Sequence, residues 1–231
     1  MLMNSRINWH YVLNISYFAL AGMEFLAEIF AVDTLSMITR LCLPIVLGSL
    51  YFSLSSKQNR FFYLLLLLLV LSNAFFFFRN SPFFFYGIVS FILLRILSLL
   101  IILKETKDNK YLHIIVASFP FLVIFFYLIS ITNEITDVEF NTLIIQSILI
   151  SILAGISITN YFKNENRQHS WLLISTLLFI GFRFIVFIER FVISDLSLIF
   201  NRPIAVILNT FAFYTFYKFV IEAERNENYS N

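Results

Sequence analysis

Charge is scarce in this 231-residue chain: only 13% of its residues are Asp, Glu, Lys or Arg, against about a quarter in an average soluble domain. Five glycines and four prolines are too few for a linker, a collagen-like repeat or a disordered tail. The one cysteine, Cys42, excludes an intrachain disulfide and a cysteine metal cage, and its apolar setting reads as a small buried hydrophobe. A net charge of +2 leaves no footprint of nucleic-acid binding. What the chain has in excess is apolar: 60% of it is hydrophobic and 30 residues are phenylalanine. The mean hydropathy of +0.86 excludes a soluble enzyme, a secreted disulfide scaffold and a disordered protein. The composition is that of an all-α, polytopic membrane bundle forming a single domain over residues 1–231.

A helix needs about 20 mostly apolar residues to cross the hydrocarbon core. Windows of that length give eight spans: Trp9–Ala31, Thr34–Leu54, Arg60–Phe78, Pro82–Leu103, Leu112–Ile131, Asp137–Tyr161, Ser170–Ile188 and Pro203–Ile221. Short polar connections such as 55–59 and 104–110 separate them. Pro82 and Pro203 fall in first turns, where a missing N–H costs nothing. Pro44 and Pro120 lie within spans and predict kinks whose freed carbonyls need a neighbour. Arg6 and Ala19-Leu20-Ala21 have the form of a signal peptide, but the apolar pattern runs on through Phe25, Leu26, Ile29 and Phe30, so a retained first span is expected.

The basic residues check the count. With both termini on one side, that side collects Arg6, Lys57, Arg60, Lys104, Lys107, Lys110, Lys163, Arg167, Lys218 and Arg225, while the other has Arg79, Arg190 and Arg202. This bias predicts cytoplasmic termini. Lys- and Asn-rich loops beside Ile- and Phe-heavy spans suggest an AT-rich bacterial genome, hence a bacterial inner membrane.

Five ionisable side chains fall within spans: Glu24, Glu28, Arg40, Arg95 and Arg183. Facing lipid, each would cost about 2.5–3.5 kcal/mol on insertion scales, so they are expected to face one another or a wet cavity. The alternation of spans places Glu24, Glu28, Arg40, Asn73, Gln146, Arg183 and Asn209 in the outer half, with Arg95 near mid-membrane. One polar outer-leaflet cavity is therefore expected, with a formal charge of +1 from two glutamates and three arginines. Arg40, Asn73, Arg95, Arg183, Gln146 and Asn209 are its candidate ligand-binding residues, suited to a phosphate or carboxylate head. Glu24 and Glu28, four residues apart on one face, are the candidate acid–base pair. A stripe of Ser147, Ser151, Gly155 and Thr159 predicts close helix packing. Buried ion pairing that only fixes helix packing accounts for the same charges.

No G-x-S-x-G elbow, H-E-x-x-H or P-loop occurs. The histidines, His10, His113 and His169, fall at cytoplasmic helix ends and read as interfacial. No metal and no cofactor is expected.

Eight short-looped spans in this length, together with the segment 178–191 (LFIGFRFIVFIERF), resemble the YhhN family of membrane proteins, which includes the animal lysoplasmalogenases. The stretch Leu71-Ser72-Asn73-Ala74-Phe75 is similar to a family Gly-Asp segment, Arg40 with Pro44 to a Lys-Pro motif, and Arg95 lies close to a family His. The resemblance implies a site for a lysophospholipid and hydrolysis of its vinyl ether bond, which releases a fatty aldehyde. Where the family carries two intramembrane aspartates, however, this chain has Asn73 and Arg183, neither able to act as a carboxylic acid. Either Glu24 and Glu28 replace them, or the chain binds lipid without cleaving it. A small anion transporter and a non-catalytic scaffold or sensor subunit are the alternatives.

Cytoplasmic termini have a direct consequence for labelling. In a Cys42→Ser background, Lys57→Cys and Glu165→Cys should be shielded from an impermeant maleimide in spheroplasts, and Asp33→Cys should react. The reverse pattern would invert the topology.

Overall fold

A computed structural model describes residues 2–78, 82–106, 111–132, 137–191 and 198–230. Eight helices follow in order: α1 (Leu2–Ile29), α2 (Asp33–Leu54), α3 (Arg60–Phe77), α4 (Pro82–Glu105), α5 (Tyr111–Ser130), α6 (Asp137–Lys163), α7 (Arg167–Phe191) and α8 (Leu198–Ser230). Each is long and apolar enough to cross a membrane, as the windows predict. Arg79, Lys107 and Lys110, which enter the charge count, lie outside the described residues.

The helices pair as hairpins α1–α2, α3–α4, α5–α6 and α7–α8, and α1, α2, α3, α4, α6, α7 and α8 close a ring in which α8 also meets α2. Helix α5 packs chiefly on α6 from outside. The hairpins are tight for local reasons. Ala31 takes a left-handed conformation (φ 52°) after α1, and its N–H and that of Val32 donate to the carbonyls of Glu28 and Ala27. This is a Schellman closure made without the usual glycine. Asn59 caps α3 by accepting from the Phe61 N–H at 3.0 Å, and Asn166 caps α7 by accepting from the His169 N–H at 2.8 Å.

Pro44 lies inside an unbroken α2. A proline there leaves the carbonyl four residues earlier without its helical donor. That carbonyl belongs to Arg40, and Asn73 Nδ2 of α3 donates to it at 3.1 Å. The neighbour that the proline requires is thus an amide from the next helix.

Hydropathy windows underestimate α8. Pro203 lies inside the helix rather than at its first turn, because α8 begins at Leu198. At the other end α8 runs nine residues beyond Ile221, where its acids hold the adjoining loops. Glu224 accepts from Tyr51 Oη and, at 2.8 Å, from Ser55 Oγ; Glu227 pairs with Lys57. His169 at this end is 7% exposed, its Nδ1 without a partner among the described residues, so it is a buried and not a solvated histidine.

The small-residue stripe of α6 does seat α5. Ser147 and Ser151 are buried, and a Cβ on Gly155 would lie 2.0 Å from Ser118 Oγ and 2.5 Å from the Ile114 carbonyl oxygen. Gly155→Ala should therefore cost about 1–3 kcal/mol by overpacking, seen as a lowered melting temperature in detergent. Gly22→Ala, with nothing within 4 Å of its added Cβ, should be neutral or slightly stabilising.

Candidate functional site

The expected single polar cavity is two separate sites with no lining residue in common. The spans' order along the membrane normal placed these side chains at similar depth. Their position around the ring, which depth leaves open, sorts them into two groups.

The first group belongs to α1, α2, α3 and α8. Arg40 Nε donates to Glu24 Oε1 at 3.0 Å, and Arg40 Nη2 donates to Glu28 Oε1 at 2.6 Å. Ser36 Oγ also donates to Glu28. The α1–α2 hairpin makes this possible, since its tight closure sets the glutamates of α1 opposite Arg40. Glu24 is 3% exposed, while the Arg40 side chain is 38% exposed, so the triad lies under one partly open guanidinium. Asn73 is held by the Arg40 carbonyl, as above. Asn209 Oδ1 is buried without a hydrogen-bond partner among the described residues. The space shared by Tyr17, Glu24, Arg40, Asn73 and Asn209 is about 20 Å³, close to the minimum for one water molecule. A lipid head does not fit there, and both candidate acid–base carboxylates are engaged by the same arginine.

The second group belongs to α4, α6 and α7, with α3 and α8 at its edge. A cavity of about 440 Å³ opens from the end of the bundle opposite the chain termini. Its walls are largely apolar and aromatic, including Phe76, Phe84, Ile88, Phe91, Phe182 and Phe187. Phe76, one of four consecutive phenylalanines (75–78), is part of the wall. Arg95, Gln146 and Arg183 line it as well. At 1.5 Å per residue, Arg183 lies about 12 Å from the end of α7, Gln146 about 14 Å from the start of α6, and Arg95 about 20 Å from the start of α4.

The electrostatics are uneven. Near the mouth, Arg190 Nη2 pairs with Glu139 at 2.7 Å and Arg202 Nε with Glu189 at 2.9 Å. Deeper in, neither Arg95 nor Arg183 has a carboxylate partner among the described residues. Arg95 is 4% exposed, and its guanidinium lies between two rings, 4.0 Å from the centroid of Phe179 and 5.1 Å from that of Phe91. Such contacts stabilise a desolvated cation by about 2 kcal/mol, less than full burial of a charge costs. Arg95 Nη1, Arg183 Nε and Arg183 Nη2 are buried N–H groups without an acceptor among the described residues. In place of one cluster of formal charge +1, the bundle holds a triad of net −1 and a cavity with two uncompensated arginines.

By sequence alone Glu139 has no role, Arg202 serves only for topology, and Glu189 and Arg190 fall in the segment 178–191 without either being assigned to the cavity. Their signal was position: each lies within about two turns of a helix end that reaches the same face of the bundle.

The chain matches no family model, no curated protein and no solved structure. Its reading therefore rests on its own geometry.

The triad makes a quantitative expectation. Arg40→Met alone leaves Glu24 buried and uncompensated, so it should lower the melting temperature more than Arg40→Met with Glu24→Gln. The double-mutant cycle should return a coupling of about 0.5–3 kcal/mol. Additive effects would show that the pair does not interact.

Proposed function

We propose that this multi-pass membrane protein binds a single-chain anionic amphiphile in the cavity between α4, α6 and α7, the acyl part against the phenylalanines and the head toward Arg183 and Arg95. One observation carries the reading: a nine-tenths buried arginine, without a carboxylate or other hydrogen-bond acceptor among the described residues, lines a largely apolar cavity. An arginine in hydrocarbon retains its charge, and a cavity that stabilises it with rings alone favours any ligand that brings an anion. The volume of about 440 Å³ lies within the range for drug-sized ligands and suits one chain better than two.

Binding without hydrolysis fits the residues better than catalysis. Of the described carboxylates that line this cavity, Glu139 and Glu189 both face arginines near the mouth, whereas vinyl ether hydrolysis needs an acid to protonate carbon and a base to guide water. This agrees with a divergent relative of YhhN proteins that has kept a lipid site and lost the aspartates. The distribution of basic residues supports cytoplasmic termini, and the Lys- and Asn-rich loops beside Ile- and Phe-heavy spans support a bacterial membrane; with that orientation the cavity opens in the outer leaflet.

Ile88→Trp, which fills the cavity from its wall, should weaken binding of a fluorescent single-chain fatty acid about tenfold while leaving the melting temperature near that of the parent protein. Lysoplasmalogen incubated with purified protein should release no aldehyde. Undiminished binding in the filled variant would place the amphiphile elsewhere; aldehyde release would make the protein a hydrolase.

A further inference from the structure

Resting on the amphiphile reading, the donor set of the cavity narrows the head group. Three donor nitrogens without acceptors among the described residues, Arg95 Nη1, Arg183 Nε and Arg183 Nη2, belong to guanidiniums that line the same space. Nε and Nη2 form the side of the guanidinium fork that grips an oxyanion in two parallel hydrogen bonds. The two like charges also act on one another unfavourably, and the rim adds no net charge because each of its glutamates has an arginine.

We infer that the cavity selects a phosphate monoester head, a group with three terminal oxygens and nearly two negative charges, over a monocarboxylate or a zwitterionic phosphodiester. A phosphomonoester carries about −1.5 to −2 charges at neutral pH and three strong acceptor oxygens, which matches the two cations and the three donors. A fatty-acid carboxylate neutralises one arginine and leaves the other uncompensated in low dielectric. A choline diester brings a quaternary cation toward a site already positive. Inorganic phosphate satisfies the donors but leaves the phenylalanine walls without an apolar partner. The rings of Phe91 and Phe179 have a definite part in this: they hold Arg95 where no carboxylate among the described residues reaches it, so the site keeps its positive charge ready for the ligand.

The test measures affinities of the full-length protein in one detergent for four probes: oleoyl lysophosphatidic acid, oleate, oleoyl lysophosphatidylcholine and inorganic phosphate. The monoester should bind at least about tenfold more tightly than each of the other three. Arg183→Gln should bring the monoester and oleate to within about threefold of each other, and Arg183→Lys, which keeps the charge and loses the fork, should retain part of the preference. Equal affinity for the three oleoyl probes would overturn the head-group assignment and leave the amphiphile reading standing. Inorganic phosphate binding as tightly as the monoester would uphold the oxyanion site and overturn the amphiphile. Binding of none of the four would overturn both.

Discussion

A guanidinium does not give up its proton in hydrocarbon, and the internal layout of this bundle follows from how three of them are accommodated. Arg40 is met by two carboxylates from the neighbouring helix and reaches partly into the open. Arg95 is enclosed between two aromatic faces. Arg183 shares a cavity with Arg95 and has no acid beside it among the described residues. The first arrangement is closed, since the charges and hydrogen bonds of Arg40 are answered within the protein. The other two keep buried donors without acceptors among the described residues, on guanidiniums that line a space large enough for a ligand. Paired and unpaired arginines, which the composition alone cannot separate, thus lie at different places in one ring.

The backbone obeys the same rule as the side chains. In a membrane every buried carbonyl and N–H needs a partner from the protein, and Pro44 creates an exception that Asn73 resolves. This assigns Asn73 a packing role beside the ligand-binding role expected from its sequence position. It also ties α3 to α2 at the level of the Glu24–Glu28–Arg40 triad, beside the tiny space that Glu24, Arg40 and Asn73 line. Close packing on that side of the ring and an open cavity on the other are complementary consequences of where polar donors are used up.

Hydrophobic run length made the eight helices legible, because crossing the core demands about 20 apolar residues and little else competes with that signal. Helix ends were less legible where polar residues continue the helix. Glu224 and Glu227 extend α8 by bonding the α2–α3 connection, a tertiary partnership that no window contains. Depth was readable from residue number, and it brought Gln146 and Arg183 to one level correctly. Azimuth was not, since the order of helices around a ring depends on packing between segments far apart in sequence. That is why Arg40 and Arg183 read as one cluster and fold into two. The cavity walls were hidden for a related reason: a phenylalanine facing a cavity, such as Phe76, is indistinguishable in sequence from one facing lipid.

The central claim is that Arg95 and Arg183 line an anion site for an amphiphile. An experimental structure of the protein extracted from its native membrane into a nanodisc, without added lipid, tests it most directly. The expected result is an elongated density against the phenylalanine walls, its compact end within hydrogen-bond distance of Arg183 Nε and Nη2. Both arginines paired with acidic side chains of the chain itself, and the α4–α6–α7 space closed by protein, would contradict it.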